Sequence, residues 1–461
     1  MTSSAFSTLP IRADLLSNIA SLGFESMTPV QQQSLPILLA GQDLLGQAKT
    51  GSGKTAAFAI GIINKLETHC RQVQALVLCP TRELADQVGN EIRRLARTIP
   101  NTKILTLCGG KPIARQTASL ESAPHIVIGT PGRILKHLSK GSLNLQQVST
   151  FVLDEADRML DMGFLADIML IKDSLPGKRQ TVLFSATYAE EIVSISSAVQ
   201  QSPVKIQIEK SHHIKEIKQT FYEIRQDKRT ETLVALLEHF QPESTLVFCN
   251  RKQQCQDLKD ELCKRGFHAL SLHGDLEQFE RDQVLIQFAN RSSSILIATD
   301  VAARGLDIKD LAAVVNFEIT PDPEIHIHRI GRTGRAGNEG LALSLFTAGE
   351  QNRIDAIESY QGSPINIENP SILKPQGSSI LKPAMETLFI NAGRKDKIRA
   401  GDILGALTAN TELPGKLIGK IDILDKMSYV AVDRKVARQA LKILLDGKIK
   451  GRKIRVRKLD N

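Results

Sequence analysis

From about residue 35 to 350, short apolar runs alternate with longer amphipathic stretches. The runs include Ala75–Cys79, Ile104–Cys108, Ile126–Ile128, Phe151–Leu153 and Val182–Phe184. Such runs have the length of buried strands, and their alternation with helical stretches predicts parallel α/β sheets. The pattern then occurs a second time. Leu76-Val-Leu-Cys-Pro-Thr-Arg82 resembles Leu246-Val-Phe-Cys-Asn-Arg251, Thr106-Leu-Cys-Gly-Gly110 resembles Ser271-Leu-His-Gly-Asp275, and Ile126-Val-Ile-Gly-Thr130 resembles Ile295-Leu-Ile-Ala-Thr299. The three matches keep their order, so two copies of one domain are expected, at residues 1–207 and 216–361. The polar, unpatterned segment Glu209–Lys215 marks the boundary. Residues 362–384 carry Pro364, Pro370, Pro375 and Pro383 and are expected to be a linker without regular structure. Residues 385–461 have a pattern of their own. Met385–Ala392 and Tyr429–Val432 read as strands, Ile403–Thr408 and Val436–Leu445 as helices. In the stretch Gly447–Asn461, Ile449, Ile454, Val456 and Leu459 alternate with basic residues, which predicts a strand with one basic face. The sum is a small β-α-β-β-α-β module of the RNA-recognition type.

Composition adds little until the charge is divided. With 42% hydrophobic and 24% charged residues the chain is an ordinary globular one. No apolar run reaches the ~20 residues that span a bilayer, so no membrane association is expected. Met1–Leu16 lacks a cationic segment followed by an apolar one. The six cysteines form no Cys-x-x-Cys pair, and reduced thiols in a cytoplasmic protein are expected. The net charge is +9, and residues 386–461 hold 18 Lys and Arg against 9 Asp and Glu, leaving 41 of each sign in residues 1–385. The whole excess therefore sits in the last module. A one-sign module on a neutral protein points to a polyanionic partner.

The chemistry begins at Asp43–Ala48, a strand end followed by Lys49-Thr50-Gly51-Ser52-Gly53-Lys54-Thr55 and the helical run Ala56–Leu66. This is a phosphate-binding loop in its required strand–loop–helix context. Glycines let backbone N–H groups turn toward phosphate oxygens, and the new helix presents its positive end to the same anion. Thr50, Gly51, Ser52 and Gly53 are expected to line the phosphates, Lys54 to reach the β- and γ-phosphates, and Thr55 to ligate Mg²⁺. Farther on, Phe151–Leu153 delivers Asp154 and Glu155 at its carboxyl end, where α/β sheets place ligand groups. Asp154 suits a Mg²⁺ ligand and Glu155 a base or orienter for an attacking water. A nucleoside triphosphate with Mg²⁺ is the expected ligand, and the resemblance described next implies ATP. His328, Arg332 and Arg335 recur at i, i+4 and i+7, one helical face, with Gly331, Gly334 and Gly337 ending the helix.

Asp154-Glu155-Ala156-Asp157 resembles the motif that names the DEAD-box RNA helicases, and other motifs of that family follow in order over about residues 5–350. Gly23-Phe24 through Pro29-Val30-Gln31, with Phe6 upstream, is similar to the adenine-reading Q motif. Gln31 offers a donor and an acceptor to an adenine edge; Phe24 could stack on the base or be a core residue. Pro80-Thr81-Arg82, Gly109-Gly110 and Thr130-Pro-Gly-Arg133 resemble the RNA-contacting motifs of the first domain, and Arg251, Thr299 and Arg304 those of the second. The resemblance implies coupling roles for Asp157, Ser185, Thr187 and His328, a ribose contact for Asp307, and arginine fingers at Arg332 and Arg335. It implies two tandem RecA-like domains, followed here by the RNA-recognition-like module. The activity implied is RNA-dependent ATP hydrolysis with local unwinding of short duplexes.

The C-terminal module resembles the domain appended to a bacterial ribosome-assembly member of the family, through Leu388–Gly393, Gly401–Gly405, Tyr429–Val432 and Gly447–Gly451. That implies tethering to a specific element of large-subunit (23S) ribosomal RNA during 50S assembly, with no obligate protein partner. The module lacks the glycine- and aromatic-rich signature of standard RNA-recognition domains. Phe389 and Tyr429 are the only plausible stacking platforms. Basic loops carrying Arg394, Lys395, Lys448, Lys450 and Arg452 are the other expected contacts.

Overall fold

The structure, a computed structural model, describes residues 4–48, 51–188, 190–207, 217–303, 311–334, 340–374, 380–409 and 413–459. Thr50, Arg304, Asp307 and Arg335 lie outside the described residues, as does the whole boundary segment Glu209–Lys215. The chain divides into two compact units.

The first unit holds strands β1 (Leu44–Gln47), β2 (Ala75–Leu78), β3 (Ile104–Leu107), β4 (Ile126–Gly129), β5 (Thr150–Leu153), β6 (Gln180–Ser185) and β7 (Val204–Gln207). They form one all-parallel sheet in the order β3-β4-β2-β5-β6-β1-β7. The central strands are buried throughout. That is why they read as continuous apolar runs rather than alternating ones. Helices cover both faces and give two core layers, one around Leu35, Phe58, Val77 and Ile92, the other around Leu76, Phe151, Met159 and Ile168. Gly46 is required in β1, because a Cβ there would lie 2.5 Å from the Phe184 ring of β6.

The second unit repeats the plan with β8 (Ile217–Glu223), β9 (Thr245–Phe248), β10 (Ala269–Leu272), β11 (Ile295–Ala298), β12 (Ala313–Asn316), β13 (Gly340–Phe346) and β14 (Ile367–Glu368). Its order, β10-β11-β9-β12-β13-β8-β14, is the first sheet's order strand for strand. The three sequence matches fall on β2 and β9, β3 and β10, and β4 and β11. One expectation needs correcting. Residues 362–384 are not without regular structure, since Ile367 and Glu368 pair with Phe221 and Tyr222 as the edge strand of this sheet. A strand of two residues has no periodicity to read.

The same unit carries a four-stranded antiparallel sheet in the order β16-β17-β15-β18, from β15 (Met385–Ile390), β16 (Ile418–Ile423), β17 (Ser428–Asp433) and β18 (Val456–Lys458). Helices Ala400–Thr408 and Ala437–Asp446 pack on one face over Leu388, Ile390, Val430 and Val432. The predicted β-α-β-β-α-β order is present. The predicted strand Gly447–Asn461 shrinks to β18. Lys450 and Gly451 take positive φ and turn the chain sharply, and only an isolated bridge, Ile449 to Arg452, forms before β18. Ile449, Val456 and Leu459 are nevertheless buried, so the alternation reported burial correctly and regular structure wrongly.

Candidate nucleotide and RNA sites

Because all seven strands of the first sheet are parallel, every motif that follows a strand lies along one carboxyl edge. Strand order then sorts the motifs. Adjacent strands β5, β6 and β1 lead into Asp154-Glu155, Ser185–Thr187 and the phosphate loop, while β3, β4 and β2 lead into Gly109-Gly110, Thr130–Arg133 and Pro80–Arg82.

In the first group, Lys54 opens the helix Lys54–Asn64 and is 5% exposed. Gly53 before it has φ 98°, and a Cβ there would sit 2.7 Å from Gln31 Nε2. Only glycine fits both the left-handed backbone and the close approach. Thr28 Oγ1 donates to Ser52 O at 2.8 Å and Gln31 Nε2 donates to Gly53 O at 3.3 Å. Gln31 Oε1 accepts from Thr28 N at 2.9 Å. Gln31 thus braces the phosphate loop, and its amide still has one N–H and one lone pair for an adenine edge. Phe24 is half-buried, with Phe6 against its edge at 6.4 Å and the Arg94 guanidinium over its ring at 5.2 Å. Those contacts favour the packing alternative for Phe24.

Asp154 is 2% exposed, and its Oδ1 has no hydrogen-bond partner among the described residues. Burial pushes its carboxyl up to about 6, with Glu155 and Asp157 adding to the rise and Lys54 opposing it. A buried carboxylate oxygen without a partner, within the field of Lys54, fits a hard divalent cation. Glu155 has φ 55° and is 4% exposed, and its Oε2 accepts from Arg158 Nη1 at 2.8 Å, a buried ion pair. Asp157 Oδ2 accepts from Ala186 N at 3.0 Å, and Ser185 Oγ accepts from Thr187 N at 3.2 Å. Gln47 Nε2 donates to Ala186 O at 3.0 Å. Asp157, Ser185 and Thr187 therefore belong to one hydrogen-bonded connection between β1, β5 and β6.

In the second group, Thr81 caps the helix Arg82–Leu95 by accepting from Leu84 N at 3.2 Å. The Arg82 guanidinium lies so close to Gly109 that a Cβ there would be 2.7 Å from Nη2. Arg133 Nη1 donates to Lys111 O at 3.0 Å and to Gln116 Oε1 at 2.9 Å. Arg82, Gly110, Thr130 and Arg133 are thus drawn together.

In the second sheet, Arg251 follows β9 and is exposed, Thr299 follows β11, and Arg332 follows the helix Pro323–Ile330 after β12. Arg332 is 7% exposed, and His328 lies 3.9 Å from Glu324. Arg329, between His328 and Arg332 in the chain, behaves differently. It is 2% exposed, holds Asp300 through two bonds of 2.7 Å, and donates to Asn250 Oδ1 at 2.9 Å and Glu318 O at 2.8 Å. It ties the segments after β9, β11 and β12 together. Burial marks it out: it shares a face, at i+3, with buried His326 and precedes buried Ile330. Arg158 and His137 had a local signal, at i+3 from Glu155 and i+4 from Arg133, whereas Gln116 had none.

In the C-terminal module, Tyr429 is fully buried and stacks edge-on with Phe389 at 5.6 Å. Burial pushes its phenol up to about 12, aided by Asp282 of the helix Gln278–Ala289. Thr387, on the same sheet face, is 2% exposed and bonds Ser292 Oγ at 2.6 Å. The sheet face is therefore packed against the segment around Asn290–Ser292, and Tyr429 is not a stacking platform. Phe389 carries the Arg457 guanidinium 4.9 Å from its centroid. The basic loops are exposed and adjoin: Lys450 Nζ donates to Lys397 O at 2.6 Å, bringing Lys448, Lys450 and Arg452 beside Arg394 and Lys395.

Family models match three segments: DEAD/DEAH box helicase over residues 28–195, helicase conserved C-terminal domain over 228–337, and DbpA RNA binding domain over 387–458. The chain is 53% identical over 458 residues to ATP-dependent RNA helicase DbpA of Escherichia coli, covering 99% of each. It is 44% identical to DEAD-box ATP-dependent RNA helicase CshA of Bacillus cereus over 77% of this chain and 67% of that one. Among solved structures, Dbp5 of Saccharomyces cerevisiae bound to RNA and ADP BeF3 matches with a TM-score of 0.72 at 29% identity, over 80% of this chain and 96% of that one. No helix among the described residues is long and apolar enough to cross a membrane.

Proposed function

This chain belongs to the DEAD-box family of ATP-dependent RNA helicases, and from that premise we propose that its C-terminal domain tethers it, in the cytoplasm, to one element of large-subunit ribosomal RNA during 50S assembly. There it opens short duplexes near the tether. The observation that carries this reading is the charge: the whole +9 lies in residues 386–461. Its exposed loops 394–397 and 448–452 converge on one side of that module.

In the reading proposed here, Gly51–Gly53 and Lys54 hold the triphosphate and Gln31 meets the adenine. Asp154 and Thr55 hold Mg²⁺, which when bound shields phosphate charge. Glu155, kept in place by Arg158, orients the attacking water and takes its proton. Arg332 and Arg335 neutralise charge at the γ-phosphate. They belong to a different unit from Lys54, so hydrolysis needs both units to engage one nucleotide, and RNA favours the state in which both do. Asp157, Ser185 and Thr187 transmit that engagement.

The test is RNA-stimulated ATPase activity of the full chain, titrated with fragments of large-subunit ribosomal RNA and with scrambled hairpins of equal length. One fragment should reach half-maximal stimulation at a concentration at least about tenfold lower, a difference of ~1.4 kcal/mol. Equal stimulation by all would overturn the ribosomal assignment and reduce the module to an electrostatic anchor, with the helicase assignment intact.

A further inference from the structure

Behind Arg133 lies a buried polar relay that ATP chemistry does not use. Gln116, on the helix Ile113–Leu120, is 5% exposed, and His137, on the helix Pro131–Ser139, is fully buried. Gln116 Nε2 donates to Cys108 O at 2.9 Å. Its Oε1 therefore faces the other way, toward Arg133 Nη1 at 2.9 Å and His137 Nε2 at 3.1 Å. A flipped amide would set N–H against N–H and leave a buried carbonyl unpaired, so the orientation is determined. Two donors must meet Oε1, and His137 accordingly carries its proton on Nε2. In the neutral ring Nδ1 is then an acceptor, 2.9 Å from Ser142 Oγ, whose one proton is shared between Nδ1 and the His137 carbonyl oxygen at 3.1 Å. Burial, with Arg133 and Lys140 nearby, holds the imidazole below its usual range, in keeping with the neutral form.

The relay reaches both ends of one loop. Cys108 is the residue before Gly109-Gly110, and Arg133 closes on Lys111 O just after them. One amide thus clamps the root of the Gly109–Lys111 loop and one edge of the Arg133 guanidinium. An arginine held by two carbonyl oxygens through Nη1 keeps its remaining N–H donors aimed in a fixed direction, which lowers the entropy lost when it grips a phosphate.

We infer that Gln116 and His137 are positioning residues that aim Arg133 and the Gly109–Lys111 loop at the RNA backbone. The inference rests on the reading of Arg133 as an RNA contact. It assigns to two residues outside the strand-end motifs a share of RNA affinity but none of the chemical step.

The test measures KM for RNA and kcat in the RNA-stimulated ATPase of the full chain, for Gln116→Leu, His137→Leu, Arg133→Ala and the double variant Arg133→Ala/Gln116→Leu. Both leucine variants should raise KM for RNA about tenfold, equivalent to ~1.4 kcal/mol, with kcat at saturating RNA within about twofold. The double variant should be no worse than Arg133→Ala, because Gln116 acts through that arginine. His137→Gln, whose amide N–H can occupy the place of Nε2–H, should recover most of the loss. If a leucine variant does not fold, Gln116→Asn, too short to span Cys108 O and Arg133, enters the same cycle. Effects of Gln116 and Arg133 that multiply independently, or no effect of Gln116, would overturn the positioning role alone. An unchanged KM for RNA in Arg133→Ala would overturn the RNA-contact reading, and the inference with it.

Discussion

Replacing Glu155 by Gln separates two jobs of one side chain. Glu155 is 4% exposed and paired at 2.8 Å with Arg158, whose side chain is only 10% exposed. The amide keeps the shape and one acceptor oxygen for Arg158, so the geometry at the strand end should persist. It cannot take a proton from water. Loss of a positioned general base costs about 10²–10⁴ in rate, or roughly 3–5 kcal/mol of barrier. The stability cost should be smaller, about 1–2 kcal/mol, because a charge-assisted hydrogen bond becomes a neutral-acceptor one. Arg158→Met makes the opposite change: it takes the guanidinium away from a buried carboxylate, and removing one member of a buried pair costs about 3–5 kcal/mol. The assay is single-turnover hydrolysis at saturating RNA, with nucleotide affinity measured separately by fluorescence and unfolding followed in urea. Glu155→Gln should bind ATP within about threefold of the parent and hydrolyse it at least about 100-fold more slowly. Turnover near the parental rate would remove Glu155 from the chemical step. A larger stability loss in Glu155→Gln than in Arg158→Met would refute the account of the ion pair.

Arg332→Ala and Arg335→Ala should each lower RNA-stimulated hydrolysis by about 10³-fold or more, the range of an arginine finger; a fragment 1–207 that hydrolyses ATP as fast as the RNA-bound full chain would show that the second unit's arginines are not needed. Replacing Lys448, Lys450 and Arg452 together by Gln should flatten the log–log dependence of RNA affinity on salt by about 2–3, since each neutralised phosphate contributes about 0.7–0.9; an unchanged slope would place the contacts elsewhere. The Asp154 carboxyl, raised from 3.8 to about 6, binds its proton more tightly in the folded chain than in the unfolded one. Metal-free stability should therefore fall as pH rises from about 4 to 6, by on the order of 3 kcal/mol, and then level. Asp154→Asn should remove that slope, seen in urea melts of parent and variant across the window. The affinity for Mg²⁺ with ATP should weaken as pH falls below about 6, because the cation must displace that proton.

The order of motifs, the duplicated α/β pattern and the charge division were all legible in the chain. Each is a local property: a phosphate loop needs its glycines and Lys54 in one short stretch, and a buried parallel strand needs one unbroken apolar run. Even Gly53 and the Gln31 amide announce themselves by residue type. What the chain alone did not contain was partnership between segments far apart in sequence. Arg329 looked like a member of a basic cluster until folding placed it against Asp300 and Asn250, where a buried guanidinium needs every donor met. Gln116 is an ordinary helical residue in the sequence, and only the packing of its helix turns it toward Arg133 and His137. Tyr429 shows the reverse case. An aromatic on a sheet of RNA-recognition type suggests a platform, and the neighbouring packing around Ser292 and Thr387 closes that face. The sheet order that sorts the strand-end motifs into two groups likewise depends on which strands become neighbours. That choice is made by burial of apolar faces over long sequence separations, and no window of residues records it.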